Sequence, residues 1–377
     1  MVIDANISSR INLMRILLIS GIVFVHVPYD PQTSPFLGTN GLFDWLRVFL
    51  GDSLFRAGVP CLSAISGYLL FRRGLDDFDF GKTIRSKART ILLPFLLWNL
   101  SFLVLVALAQ KSGIGFGYLP DVIHASPRDL ATLAFSTEAL PINVPLYFLR
   151  DLILCILLAP VLAIAIRRYP AATLLIFFLY AVLPVANGIF LKKSILFGFS
   201  CGICASLHRV DIRQLDSHAG KIAVLFLAAT ALLAIGLYRA GPEFPVWLDM
   251  LRSLTAICGI PAAWAISALL VRLPLARPLS KTEGLSFWIF CAHYPLLILF
   301  WMVWNRTGSP ELYPLFYMAA PPLALFILTT SHAGARRMLP RLHAILTGSR
   351  TGGPPKRTAT EQSHQTAGAT DILQRRT

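Results

Sequence analysis

The sequence predicts an all-α, polytopic membrane protein of about ten transmembrane helices with both termini in the cytoplasm, on three observations. Apolar residues make up 55% and charged residues only 14% of the 377, with a mean hydropathy of +0.65. A soluble domain keeps roughly a quarter of its residues charged. The apolar residues also fall in repeated runs near bilayer-spanning length, most of them apolar on every side, so a soluble core with polar outer faces does not fit. Finally, the net charge of +15 sits in short loops between those runs rather than in one patch. That distribution argues against a nucleic-acid partner and for membrane topology.

The first span lies near 12–29. It reads as a retained helix, because Val27-Pro28-Tyr29-Asp30 stands where a signal peptide would carry a small-x-small cleavage site. Arg15 and His26 are eleven residues apart, about three helical turns or roughly 16 Å, and share nearly one face. A neutral imidazole can take a proton from a hydroxyl near pH 7; the plainer reading is a packing histidine bonded to a backbone carbonyl. The second span, near 48–71, opens with Asp52 and Arg56, spaced to pair on one face, functionally or as a structural pair. Pro60 predicts a kink, and Ser63, Ser66 and Gly67 permit close helix contact. Arg72, Arg73, Lys82, Arg85, Lys87 and Arg89 then form the densest cationic patch outside the tail. Such a patch suits the phosphates of a cytosolic cofactor, or serves topology alone.

The third span lies near 90–110, and the longest outer loop runs from about 111 to 143, a length often associated with function. The fourth span, near 144–166, opens on Tyr147-Phe148-Leu149-Arg150-Asp151. Adjacent residues do not share a helix face, so Arg150 and Asp151 are expected to find separate partners, lining a polar cavity or joining helices. The fifth and sixth spans, near 170–189 and 192–208, are separated by little more than Asn187-Gly188 and Lys192-Lys193. Cys201-x-x-Cys204 reads as small packing residues, without further ligands for a metal, and six cysteines, all inside spans, imply no disulfide framework.

The seventh and eighth spans lie near 221–239 and 251–271. The ninth, near 284–304, carries His293 in mid-span, two residues before Pro295, at a hydrogen-bonding or cavity position. The tenth lies near 313–333. Residues 336–377 form a basic tail with eight Lys/Arg against two Asp/Glu, read as disordered from about Thr347. With the N-terminus inside, the cytoplasmic segments hold 24 of the 34 lysines and arginines, and an odd number of helices would separate the two basic termini. No internal repeat is visible, which counts against transporters built from duplicated halves.

Four segments together resemble the acyltransferase-3 family of membrane acyltransferases. They are Arg15-x10-His26; Phe55-Arg56 through Val59-Pro60 to Ile65-Ser66-Gly67-Tyr68-Leu69; Leu146-Tyr147-Phe148-Leu149 to Leu152; and Phe287 to His293. They span most of a membrane domain at 1–335. The resemblance implies a ten-helix core in the bacterial inner membrane, transferring an acyl group from succinyl-CoA or acetyl-CoA to a carbohydrate. Its nearest branch modifies exopolysaccharides and includes succinoglycan succinyltransferases. His26 would be the catalytic histidine, and Arg15 and Arg72 would help hold the donor. Two departures stand out: Cys61-Leu62-Ser63-Ala64 replaces the usual aromatic residues, and no periplasmic hydrolase-like domain is appended.

The resulting expectation has acyl-CoA held by Arg15, Arg72, Arg73, Arg85 and Arg89, and the acceptor by Tyr147, Arg150, Asp151 and His293. His26 acts as base, Asp52 or Asp30 orients it, Arg56 stabilises the oxyanion, and no metal takes part. Succinyl transfer needs one further cation, with Arg56, Arg150, Lys192 and Lys193 as candidates. Expected partners are a polysaccharide or lipid-linked oligosaccharide acceptor, membrane lipid and a polysaccharide synthesis complex. A transporter or flippase of a lipid-linked saccharide, or a scaffold, explains the helices but does not require the Arg15–His26 spacing.

Overall fold

The computed structural model describes residues 5–274, 276–279 and 284–349; the expectation of a disordered tail falls mainly on 350–377, outside the described residues. The first helices are α1 (Ala5–Val25), α2 (Leu42–Val48), α3 (Gly58–Leu70), α4 (Phe80–Lys87) and α5 (Leu93–Lys111). They are followed by α6 (Pro127–Phe135), α7 (Tyr147–Leu157), α8 (Ala159–Arg168), α9 (Pro170–Val182) and α10 (Lys193–Leu207). The chain continues through α11 (Ala219–Ala240), α12 (Val246–Leu270), α13 (Ala276–Leu279), α14 (Leu285–Thr307), α15 (Tyr313–Met338) and α16 (Pro340–Leu346). No strand occurs among the described residues, as the sequence predicts.

Seven helical stretches among the described residues are long and apolar enough to cross a membrane. The predicted fourth span is instead a pair, α7 and α8, bent by 62°. Pro160 explains the break, since its ring removes a helical donor and clashes with the preceding turn. The fifth and sixth predicted spans are the shorter helices α9 and α10. α9 stops at Val182 because Pro184 holds Leu183 in an extended conformation, with ψ 150°. Val104, Leu105, Val161, Leu225, Leu232 and Phe326 are each more than half exposed, which fits a lipid surrounding rather than water.

The second span is one helical stretch, Leu42–Leu70, whose winding changes ahead of Pro60. The path from α2 to α3 passes through a π-turn at Phe49–Ser53 and a 3-10 turn at Leu54–Ala57. Pro60 is the third residue of α3, directly after the 3-10 turn. The expected close contact at Gly67 does form, against α10. A Cβ on Gly67 would fall 2.1 Å from the Phe199 carbonyl oxygen, and one on Gly202 would fall 2.0 Å from that of Ala64. Gly198 and Gly202 form a Gly-x-x-x-Gly stripe that lets the two backbones touch.

α1 crosses the centre of the bundle, packed on α3, α12, α14 and α15. Arg10 anchors its beginning, donating to both Asp216 carboxylate oxygens at 2.7 and 2.9 Å and lying 3.6 Å over the Trp264 ring. This end of the bundle, the near end, also holds α4 and α16. The far end, where α1 finishes, gathers the starts of α3, α7, α10, α12 and α15.

Candidate active site

The last turn of α1 presents His26 at the far end, half-buried, while α14 brings the fully buried His293 beside it. The His26 Nδ1 lies 2.9 Å from the Ile22 carbonyl oxygen, and the His293 Nδ1 lies 3.0 and 2.9 Å from those of Ile289 and Phe290. Carbonyls only accept, so each Nδ1 carries the proton and each Nε2 keeps a lone pair. The His293 Nε2 faces the His26 Nδ1 at 3.4 Å. His26 is thereby held in the tautomer that leaves its Nε2 available as a base.

Neither expected carboxylate orients this imidazole. Asp30 caps the short turn at Pro31–Thr33, its Oδ1 accepting from the Thr33 amide at 2.8 Å. Asp52 accepts from Arg56 at 2.8 Å, as the spacing predicts, and also pairs with Arg252 at 3.5 Å. His293, expected to hold substrate, is the side chain that faces this imidazole, at 3.4 Å.

One backbone consequence of proline builds this geometry. Pro295 has no amide proton, so the Cys291 carbonyl lacks its helical donor, and Asn143 supplies one from its side chain at 2.9 Å. The Asn143 amide in turn donates to Asn99 at 3.0 Å, and Asn99 donates to the Leu133 and Ala134 carbonyls. These amides clamp the long loop, and the Tyr147 that follows it, onto the helix carrying His293.

A cavity of about 390 Å³ opens at the far end, lined by Arg56, Tyr147, Lys192, Lys193, Asp249 and Arg252 among others but by neither histidine. Arg252 bonds Asp249 at 2.5 Å, so the two carboxylates offset the two arginines. Lys192 and Lys193 are paired with no carboxylate among the described residues, leaving the cavity cationic. Arg56 also donates through Nε to the Gly51 carbonyl at 3.1 Å and lies within electrostatic reach of His26.

Arg150 and Asp151 do not find separate partners. The long arginine folds back to bond its neighbour at 2.8 Å. It also donates to the carbonyls of Ser136, Thr137 and Ile189, while Asp151 accepts from the amides of Leu191 and Lys192. Their hydrogen-bonding capacity is used within the protein, joining α7 to the loops around it.

The donor-side residues are dispersed. Arg15 is partly buried in α1 and makes no ion pair or hydrogen bond among the described residues. Arg72 and Arg73 are exposed in the loop after α3. Arg85 and Arg89 line a separate near-end cavity. Among the described residues, no cluster of three or more His, Cys, Asp or Glu is placed to hold a metal.

The sequence reading missed Arg252, Asn99 and Asn143. Arg252 stands three residues after Asp249, a spacing that could have marked an ion pair.

A family model described as an acyltransferase domain matches residues 8–331. The chain is 65% identical over 358 residues to the succinoglycan biosynthesis protein ExoH of Rhizobium meliloti (strain 1021), covering 95% of this chain and 96% of that one. No solved structure matches.

Proposed function

Because the chain belongs to the acyltransferase-3 family of membrane acyltransferases, we propose that it transfers an acyl group, succinyl or acetyl, from acyl-CoA to a sugar hydroxyl of a cell-surface or exopolysaccharide precursor. The observation that carries this reading is the His26 imidazole, its Nδ1 held by the Ile22 carbonyl and facing His293, with Arg56 of the cationic cavity within electrostatic reach. The His26 Nε2 removes the hydroxyl proton as the sugar oxygen attacks the thioester carbonyl. The oxyanion of the tetrahedral intermediate faces Arg56. Collapse breaks the carbon–sulfur bond, and the departing thiolate takes the proton back from His26. His293 positions His26 throughout.

The membrane domain is residues 1–335, crossing the inner membrane ten times if α7–α8, α9 and α10 each count as a crossing. Both termini and the tail at 336–377 face the cytoplasm, where acyl-CoA is found. The donor enters at the near end, past Arg72, Arg73, Arg85 and Arg89, and reaches toward His26 along Arg15. A cation without a protein partner inside a span is costly, and an anionic donor answers it. The acceptor, a polysaccharide or lipid-linked oligosaccharide within a synthesis complex, approaches the far end by Tyr147. There Lys192 is available to a free succinyl carboxylate, whereas Lys193 is held by the carbonyls of Leu183 and Val185.

The test replaces His26→Ala at normal membrane abundance and measures acylated polysaccharide by mass spectrometry. Acylation should vanish while polymer is still exported. Wild-type acylation sinks the catalytic assignment, and loss of export points to a transporter.

A further inference from the structure

We infer that the near-end basic cavity is a phosphate-binding site whose second wall is the C-terminal segment from Ala344 to Ser349. Resting on the acyl-CoA reading above, its ligand is the nucleotide end of that donor. Lys82, Arg85 and Arg89 follow one another at steps of three and four residues, which places them on one face of the helix that runs from α4 into the turn at Ala88–Leu92. With Ser86 and Thr90 they line a cavity of about 590 Å³, closed on its other side by Ala344, Ile345, Gly348 and Ser349. That volume is in the range of nucleotide and cofactor pockets.

The lining holds three cations and no carboxylate. Lys82 has a long 3.8 Å contact with Asp79, while Arg85 and Arg89 make no ion pair among the described residues. Guanidinium groups match phosphate oxygens two at a time, and the Ser86 hydroxyl adds a neutral donor. Arg72 and Arg73 do not line this cavity.

The C-terminal wall is fixed in place. Trp98 donates from Nε1 to the Leu346 carbonyl at 3.0 Å, across 248 residues of sequence. Gly348 has φ +61°, and a Cβ there would fall 2.2 Å from the Thr90 carbonyl oxygen, so only glycine lets the segment approach this closely. Beneath the wall, the His343 ring stacks on Trp288 with centroids 5.7 Å apart. A segment held this firmly against a row of unpaired arginines shapes the cavity that those arginines face.

Coenzyme A binding to the full-length protein in phosphatidylcholine nanodiscs tests the site without turnover. Arg85→Gln combined with Arg89→Gln should weaken coenzyme A by about tenfold or more, the loss of one or two charge-assisted hydrogen bonds. Gly348→Val moves the wall and leaves every charge in place, so it should weaken binding severalfold. Trp98→Phe removes only the bond to Leu346 and serves as the second wall variant if Gly348→Val does not fold. Unchanged coenzyme A affinity in the folded charge variant, or in the folded wall variants, overturns the proposal. Parallel nanodiscs containing phosphatidylglycerol separate the two sources of phosphate. If the variants lose bound phosphatidylglycerol but keep coenzyme A affinity, the pocket reads a lipid headgroup and the donor assignment is overturned. If the wild type binds coenzyme A through this pocket yet transfers no acyl group, the acyl-transfer reading fails and the site stands.

Discussion

His26 and His293 meet at 3.4 Å although 267 residues separate them, and the chemistry proposed here depends on that meeting. If His293 positions His26, His293→Gln should lower kcat about ten- to a hundredfold, at or below the roughly hundred- to ten-thousandfold that a general base itself contributes, and leave the KM for acyl-CoA unchanged. A matching change in KM would make His293 a substrate contact instead. The individual residues were legible because an ionisable group in an apolar run stands out against lipid. His26, Arg56 and His293 could all be picked out in this way. Their partnerships were not legible, since one sequence does not say which helices adjoin. Asp52 and Asp30 were therefore plausible orienting groups until their bonds to Arg56 and Thr33 were seen. Arg252 escaped because a cation in the first turn of a span reads as ordinary topology. Arg150 and Asp151 misled for another reason. Helix faces describe where side chains leave the backbone, and an arginine is long enough to return to its neighbour.

At the scale of elements, the prolines explain most of the differences between the expected and observed boundaries. Pro160 divides one span and Pro184 shortens another, while Pro60 leaves its stretch, Leu42–Leu70, continuous. Pro295 has the more consequential effect, because the carbonyl it frees becomes the acceptor for Asn143. Asn143→Ala leaves that buried carbonyl unpaired. It should destabilise the protein by about 1–3 kcal/mol, measured by thermal or denaturant unfolding in detergent, and lower activity through the loosened His293 helix. Stability equal to wild type would show that the clamp contributes nothing. Asn99 and Asn143 were unreadable beforehand because an amide beside a loop carries no charge to draw notice. The Gly198–Gly202 stripe was written in the sequence, and its meaning followed only once α3 was found against it.

On the scale of the whole molecule, composition and loop charge sufficed to place the chain in a membrane as a bundle of helices. Two cationic cavities at opposite ends did not follow from them, because each is assembled from segments far apart in the chain. The far-end cavity lies between the tips of α9 and α10, which contribute Ala181 and Val182 on one side and Lys192 to Ser194 on the other. These helices have 13 and 15 residues, or about 20 and 22 Å of rise against a hydrocarbon layer of about 30 Å. On the topology proposed above, with the other ends of these helices level with the cytoplasmic surface, their far-end tips stop short of the opposite one and the cavity is a notch cut into the lipid's outer half. Thicker bilayers deepen that notch and oppose it with elastic strain. Turnover in vesicles of graded acyl-chain length should accordingly fall as the bilayer thickens, and a rate indifferent to thickness would refute the notch. A lipid-linked sugar would then reach the catalytic histidine by sinking a few ångströms, so the membrane's own thickness would set how far the acceptor has to descend.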